Sequence, residues 1–156
     1  MKAISLWQPW ASALFTVLKK YETRHWALPK ALIGQTVAIH AAKHWSGAEI
    51  QFWRDTVSDG IPACPRAREE LGTIGIHGSG SLPFGCVIGT LRFVACHDTN
   101  IWAPEEDGMQ MHWGNFSEDR FAWERAEPKL FPKPIPCIGR QGFFDWCEDL
   151  IPLATV

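Results

Sequence analysis

Residues 35–43, QTVAIHAAK, restrict the fold more than any other part of the chain. Val37 and Ile39 alternate with Ala38 and His40, the period of an extended strand, and Lys43 follows just beyond its end. A second segment, CVIGTLRFVAC at 86–96, reads as a buried strand in which Gly89 permits a bulge or a close backbone approach. Cys86 and Cys96 share one face of it and belong to the core by that placement. AISLW near the start, the stretch from Lys20 to His25 and RFAWERA at 120–126 alternate in the same way. A chain with this many strands must bury a sheet.

The helical signals are fewer. Pro9 stands where a first turn needs no amide donor, and in WASALFTVLKK the residues Trp10, Leu14, Val17 and Leu18 fall on one helical face. Lys19 and Lys20 would then close that helix, where positive charge complements its dipole. Ser46 is a suitable N-cap for a helix through GAEIQFWRDTV that stops near Asp59 and Gly60, and PRAREELG suits one more short helix. ALPKALIG is a turn-rich connection, and GIHGSGSLPFG is a flexible loop, either a lid or an ordinary surface excursion. HDTNIWAPEEDGMQMHWGNFSED is long, polar and weakly periodic, and KPIPCIGRQGFFDW reads as a proline-broken loop followed by a short strand. Strands and helices do not alternate regularly, so the expected class is α+β, or a small partly open barrel, as one domain over residues 1–156.

Composition narrows the function classes. A chain of 156 residues that is 46% hydrophobic can bury one core. Its net charge of −2 argues against neutralising many phosphates along duplex nucleic acid, although a local basic patch fits. Nine Trp and nine Phe against a single Tyr supply rings that fill cores and also stack on bases. The five cysteines form no CxxC pair, so zinc-ligand spacing is absent, and His40 and His44 lack an HExxH context. Reduced thiols, no secretory signal and no run of membrane-spanning length lead to the expectation of a cytoplasmic protein with no membrane partner and no bound metal.

One cluster stands apart. Glu22 and Arg24 lie two apart on a strand, facing the same side, and can hold each other in a fixed orientation, while Lys19 arrives from the preceding element. From spacing alone two readings stay open. One is a surface ion-pair cluster over a strand end, of little energetic value; the other is a site that binds phosphate, reads the edge of a base or moves a proton.

The combination of ISLWQPWASALF, KKYETRHW, AIHAAK, GCVIGTLRFVAC and PIPCIGRQGFFDW resembles the ASCH domain (activating signal cointegrator homology), of the PUA-like superfamily. That family carries a G-x-K-x-x-E-x-R motif after its first helix. Lys19, Glu22 and Arg24 match it, and Val17 stands where the glycine is expected. The resemblance implies a small PUA-like β-barrel with flanking helices and a cleft next to the first helix. It also implies binding of single-stranded RNA or of a modified nucleoside, with some relatives resembling nucleic-acid hydrolases. A related branch deacylates acetylated cytidine with a threonine nucleophile where Glu22 stands here, a departure that counts against that reaction. On this basis Lys19, Glu22, Arg24, Trp26, His40, Lys43, Arg140 and Gln141 are the candidate ligand-binding residues. For a hydrolase, Lys19, Glu22 and Lys43 are the candidate catalytic ones, with Glu22 as acid/base and a lysine stabilising the anionic transition state. No cofactor is required; a nuclease would place any divalent metal between Glu22 and phosphate oxygens.

Overall fold

A computed structural model describes residues 1–58, 64–105 and 108–155. Six strands form one mixed sheet: β1 (Lys2–Leu6), β2 (Tyr21–Arg24), β3 (Thr36–Ala41), β4 (Cys86–Asp98), β5 (Phe121–Pro136) and β6 (Phe143–Asp145), in the order β2-β5-β4-β3-β1-β6. β1 runs parallel to β3, and every other pairing is antiparallel. Four short α-helices flank the sheet: α1 (Trp10–Ala13), α2 (Gly47–Trp53), α3 (Ala67–Gly72) and α4 (Gly108–Trp113). The architecture is an α+β half-barrel.

The sheet curls because its two longest strands are bulged against each other. The β4–β5 register shifts between Val87 and Gly89, between Thr90 and Arg92, and between Phe93 and Ala95, each shift adding twist. Gly89 is required at the first: a β-carbon there would lie 2.4 Å from the Lys129 carbonyl oxygen and 2.6 Å from the Phe15 ring. Ile4, Leu6, Leu14, Ile39, Ile88, Phe93 and Trp123 fill a first core cluster, and α1 packs on it through Ala11 and Leu14. A second cluster, including Trp53, Leu71 and Trp113, joins α2, α3 and α4. A third gathers Phe131, Ile135, Phe144 and Trp146 with Ala3, Ala38 and Val87, on the opposite face of the sheet from the first.

Three expectations need correction. The first helix does not run to the lysines. Phe15 and Thr16 donate to carbonyls three residues back rather than four, at 3.0 and 3.1 Å, and the Thr16 hydroxyl donates to the Ala13 carbonyl while accepting the Leu18 N–H. This side-chain competition for backbone groups ends the helix, so Val17 is left 52% exposed and Lys19 turns inward. Second, the polar stretch after residue 96 is not irregular throughout, since β4 continues to Asp98 and α4 forms at Gly108–Trp113. Third, β5 passes through its prolines to Pro136, so the loop begins only at Cys137. Ser46 does precede α2, its N–H held by Glu49 at 2.8 Å; the turn expected at Asp59 and Gly60 lies outside the described residues.

Candidate functional site

The chain between α1 and β2 is short and has no ladder of its own, so its course is set from outside. Arg125 on β5 donates through Nε to the Lys19 carbonyl at 3.2 Å and through Nη2 to that of Thr16. Gln110 on α4 accepts the Lys20 N–H at 2.7 Å and donates to the Val17 carbonyl at 3.1 Å. Pinned at these points, the segment buries the Lys19 side chain to 3% exposure. Its ammonium donates to the carbonyl of Trp113, the last residue of α4, at 2.9 Å, so a helix-end oxygen left without an intrahelical partner meets a cation.

β2 supplies the rest of the floor. Glu22 and Arg24 share a face, opposite Trp123 and Phe121 of β5. Glu22 Oε2 lies 3.4 Å from Lys19 Nζ and Glu22 Oε1 lies 2.8 Å from Arg24 Nε. The second contact is an ion contact rather than an aligned hydrogen bond, because Arg24 Nε–H has no acceptor in line. Arg24 is anchored independently through Nη2 to the Ser5 carbonyl at 3.1 Å. Burial pulls the Lys19 ammonium below its ordinary value of 10.5; Glu22 opposes this by charge and hydrogen bond, and Arg24 and Arg120 reinforce it.

The floor opens into a cleft of about 690 Å³. Trp10, Phe52, His112 and Trp113 line one part of it, and Trp7, Trp26, His25 and Gln141 line it as well. Trp26 is 37% exposed and held edge-on against Trp123 and Phe143, at centroid distances of 4.7 and 5.8 Å. His112 stacks on Phe52 at 5.2 Å, its Nε2 lies 2.8 Å from the Thr56 hydroxyl, and burial lowers its pKa below 6.5. The cleft therefore joins polarised groups at its base to flat apolar walls.

Of the candidates from sequence, Lys19, Glu22, Arg24, Trp26 and Gln141 come together here. His40 does not. It is buried, with Nδ1 3.0 Å from Ser5 Oγ and Nε2 3.0 Å from the Cys137 carbonyl, and burial lowers its pKa. Gly139 packs on its ring so closely that a β-carbon would sit 2.3 Å from Cε1. Lys43 is exposed with its stem against Gly85, and Arg140 is exposed; neither lines the cleft. Sequence reasoning missed His112 and Asn115, which come from the polar stretch around α4, and Arg120, at the junction of that stretch with β5. The signal in it was faint: Gln110 and Trp113, three apart, are the buried positions of a helix under two turns long.

A second concavity, of about 410 Å³, involves Tyr21, the neighbour of Glu22 that faces the other way. Three of its charged or titratable groups are linked: Glu124 lies 2.9 Å from Lys20 and 3.0 Å from His97, whose ring stacks on Trp102 at 4.1 Å. Among the described residues no group of His, Cys, Asp and Glu side chains is arranged to hold a metal ion, and no helix is long and apolar enough to cross a membrane.

With this geometry in view, the fold can be compared with solved structures. The crystal structure of ASCH from Zymomonas mobilis superposes with a TM-score of 0.50 at 15% identity, over 95% of this chain and 88% of that one. A point mutant of the same protein gives 0.52 at 15% identity, over 97% and 94%. No family model matches the sequence, and no curated protein matches it either. At this identity the likeness concerns architecture alone: the chain shares the fold of these ASCH structures, an α+β half-barrel with flanking helices.

Proposed function

We propose that the cleft binds one unstacked nucleobase, in single-stranded RNA or in a modified nucleoside. The observation that carries this reading is the Lys19–Glu22–Arg24 chain, its first two members buried, at the base of a tryptophan-walled cleft. A base offers a flat face and an edge of alternating donors and acceptors. Exposed rings such as Trp26 serve the face, and fixed ionic groups serve the edge. Two oriented cations and a carboxylate provide both donors and acceptors, already ordered before the ligand arrives. The reading needs no cofactor.

The test is titration of the intrinsic tryptophan fluorescence with ribonucleosides, modified nucleosides and short single-stranded and duplex RNAs. Single strands or nucleosides should quench and duplexes should not, and Trp26→Ala should weaken binding by about tenfold, the worth of one stacked base. Saturable binding to duplex alone, or none to any of these, would sink the reading.

One observation favours a second function, a hydrolase on RNA or on a modified nucleoside. A lysine whose pKa is lowered by burial, beside a carboxylate, can pass a proton or meet a developing oxyanion. Lys19 would then stabilise the transition state and Glu22 act as acid/base. Both Glu22 oxygens already face cations, a poor arrangement for a divalent ion. Mass spectrometry of an RNA pool incubated with the protein, with and without magnesium, decides the matter. New fragment ends or a lost modification, absent with Lys19→Ala, would establish turnover.

A further inference from the structure

The charge on the cleft is unbalanced. Lys19, Arg24 and Arg120 all line it, and Glu22 is the one carboxylate in its lining among the described residues. Glu22 is already shared between Lys19 and Arg24, which leaves Arg120 with no carboxylate partner among those residues. Arg120 is nevertheless held in place. Its backbone N–H donates to the Thr99 hydroxyl at 3.0 Å and its carbonyl accepts the Thr99 N–H at 3.1 Å. Its Nη2 donates to the Thr23 carbonyl at 3.3 Å, and Nη1 lies 3.0 and 3.2 Å from the two ring nitrogens of His25. Its Nε, shielded from water, has no acceptor in the protein. A guanidinium fixed beside a second one, with no anion of its own, is an arrangement that an anionic ligand would complete.

Resting on the nucleobase reading above, we infer that the cleft takes its ligand as a phosphate ester, a nucleotide rather than a nucleoside, with Arg120 and Arg24 holding the phosphate beside the base pocket. The bland alternative is that Arg120 only braces the edge of β2 through Thr23. It does not explain why an arginine, rather than a neutral donor, stands in a wall already rich in cations. Burial lowers the pKa of Arg120 and Arg24 lowers it further, and the shared charge of Glu22 does not make up the difference. The inference also gives the anion-holding role to a residue inside the cleft, where Lys43 and Arg140 are not.

The experiment is calorimetric titration of the protein with each common ribonucleoside, its 3′- and 5′-monophosphates, and inorganic phosphate, repeated with Arg120→Gln and Arg120→Lys. A monophosphate should bind at least about tenfold more tightly than its nucleoside, as a charge-assisted contact predicts. Arg120→Gln should abolish that gain, lowering monophosphate affinity far more than nucleoside affinity, and Arg120→Lys should restore part of it. A thermal melt of each variant checks that the Thr23 brace is not the cause of any loss. Equal binding of nucleoside and monophosphate would overturn the phosphate seat and leave the nucleobase reading standing. Arg120-dependent binding of inorganic phosphate without nucleoside binding would do the reverse. No binding of nucleoside, nucleotide or phosphate would overturn both.

Discussion

Glu22 is the residue on which the site balances. It neutralises a lysine that has almost no access to water, and separating a buried ion pair by removing one partner costs about 3–5 kcal/mol, more than making it gains. Glu22→Gln should therefore lower stability by roughly that amount, while Lys19→Met, which removes the charge and keeps the volume, should cost less. Chemical denaturation of the two variants checks the order; equal losses would show that Lys19 does not depend on Glu22. A similar argument applies to Gly139, where any β-carbon meets the pinned His40 ring. Gly139→Ala should cost about 1–3 kcal/mol from overpacking, and an unchanged melting temperature would refute the contact.

Among the elements, the connection between α1 and β2 matters most. It is too short to order itself and is held by Arg125 of β5 and Gln110 of α4, neither of which lines the cleft. Arg125→Met should leave the carbonyls of Thr16 and Lys19 without their donor. We expect a loss of about 1–3 kcal/mol together with weaker ligand binding, although Arg125 does not line the cleft. Full affinity in a destabilised variant would show that Lys19 is positioned without the clamp. This connection is also where the sequence misled. The 3.6-residue periodicity of Trp10, Leu14, Val17 and Leu18 is genuine, yet the Thr16 hydroxyl takes the backbone groups that a longer helix needed. The strands were legible because alternation survives any tertiary context. The span of β5 was not, because its prolines stand in a bulged region where the ladder tolerates them.

For the molecule as a whole, the buried His40 and the half-buried His112 contribute to the response to acid. His40 and His112 both have folded-state pKa values below 6.5, each because burial disfavours the charged ring. Below 6.5 the unfolded chain binds protons that the folded chain refuses, so stability falls as pH drops through that value. The slope is at most about 1.4 kcal/mol per pH unit for each histidine. Glu124, its pKa lowered first by the Lys20 hydrogen bond and then by that of His97, adds a further loss at lower pH, beneath 4.5. Melting temperatures between about pH 8 and pH 5 should decline through the first window, and less so in a His40→Asn/His112→Asn double variant. A flat profile would mean that neither ring resists protonation. If the proposed seat takes one phosphate rather than a track of them, nucleotide binding should depend only weakly on salt, with a log–log slope of about −1, and a much steeper slope on salt titration would refute it.

Residue types and their spacing were enough by themselves to locate most of the strands, though not the full spans of β4 and β5, and to put Glu22 and Arg24 on one face, since alternation and short-range charge geometry are local properties. The tertiary structure alone decided that Lys19 is buried rather than a solvated helix end, that His40 is a core brace, and that His112 and Arg120 complete the cleft. Those outcomes depend on contacts between distant segments, such as Arg125 with Thr16, 109 residues away, and no local pattern encodes them.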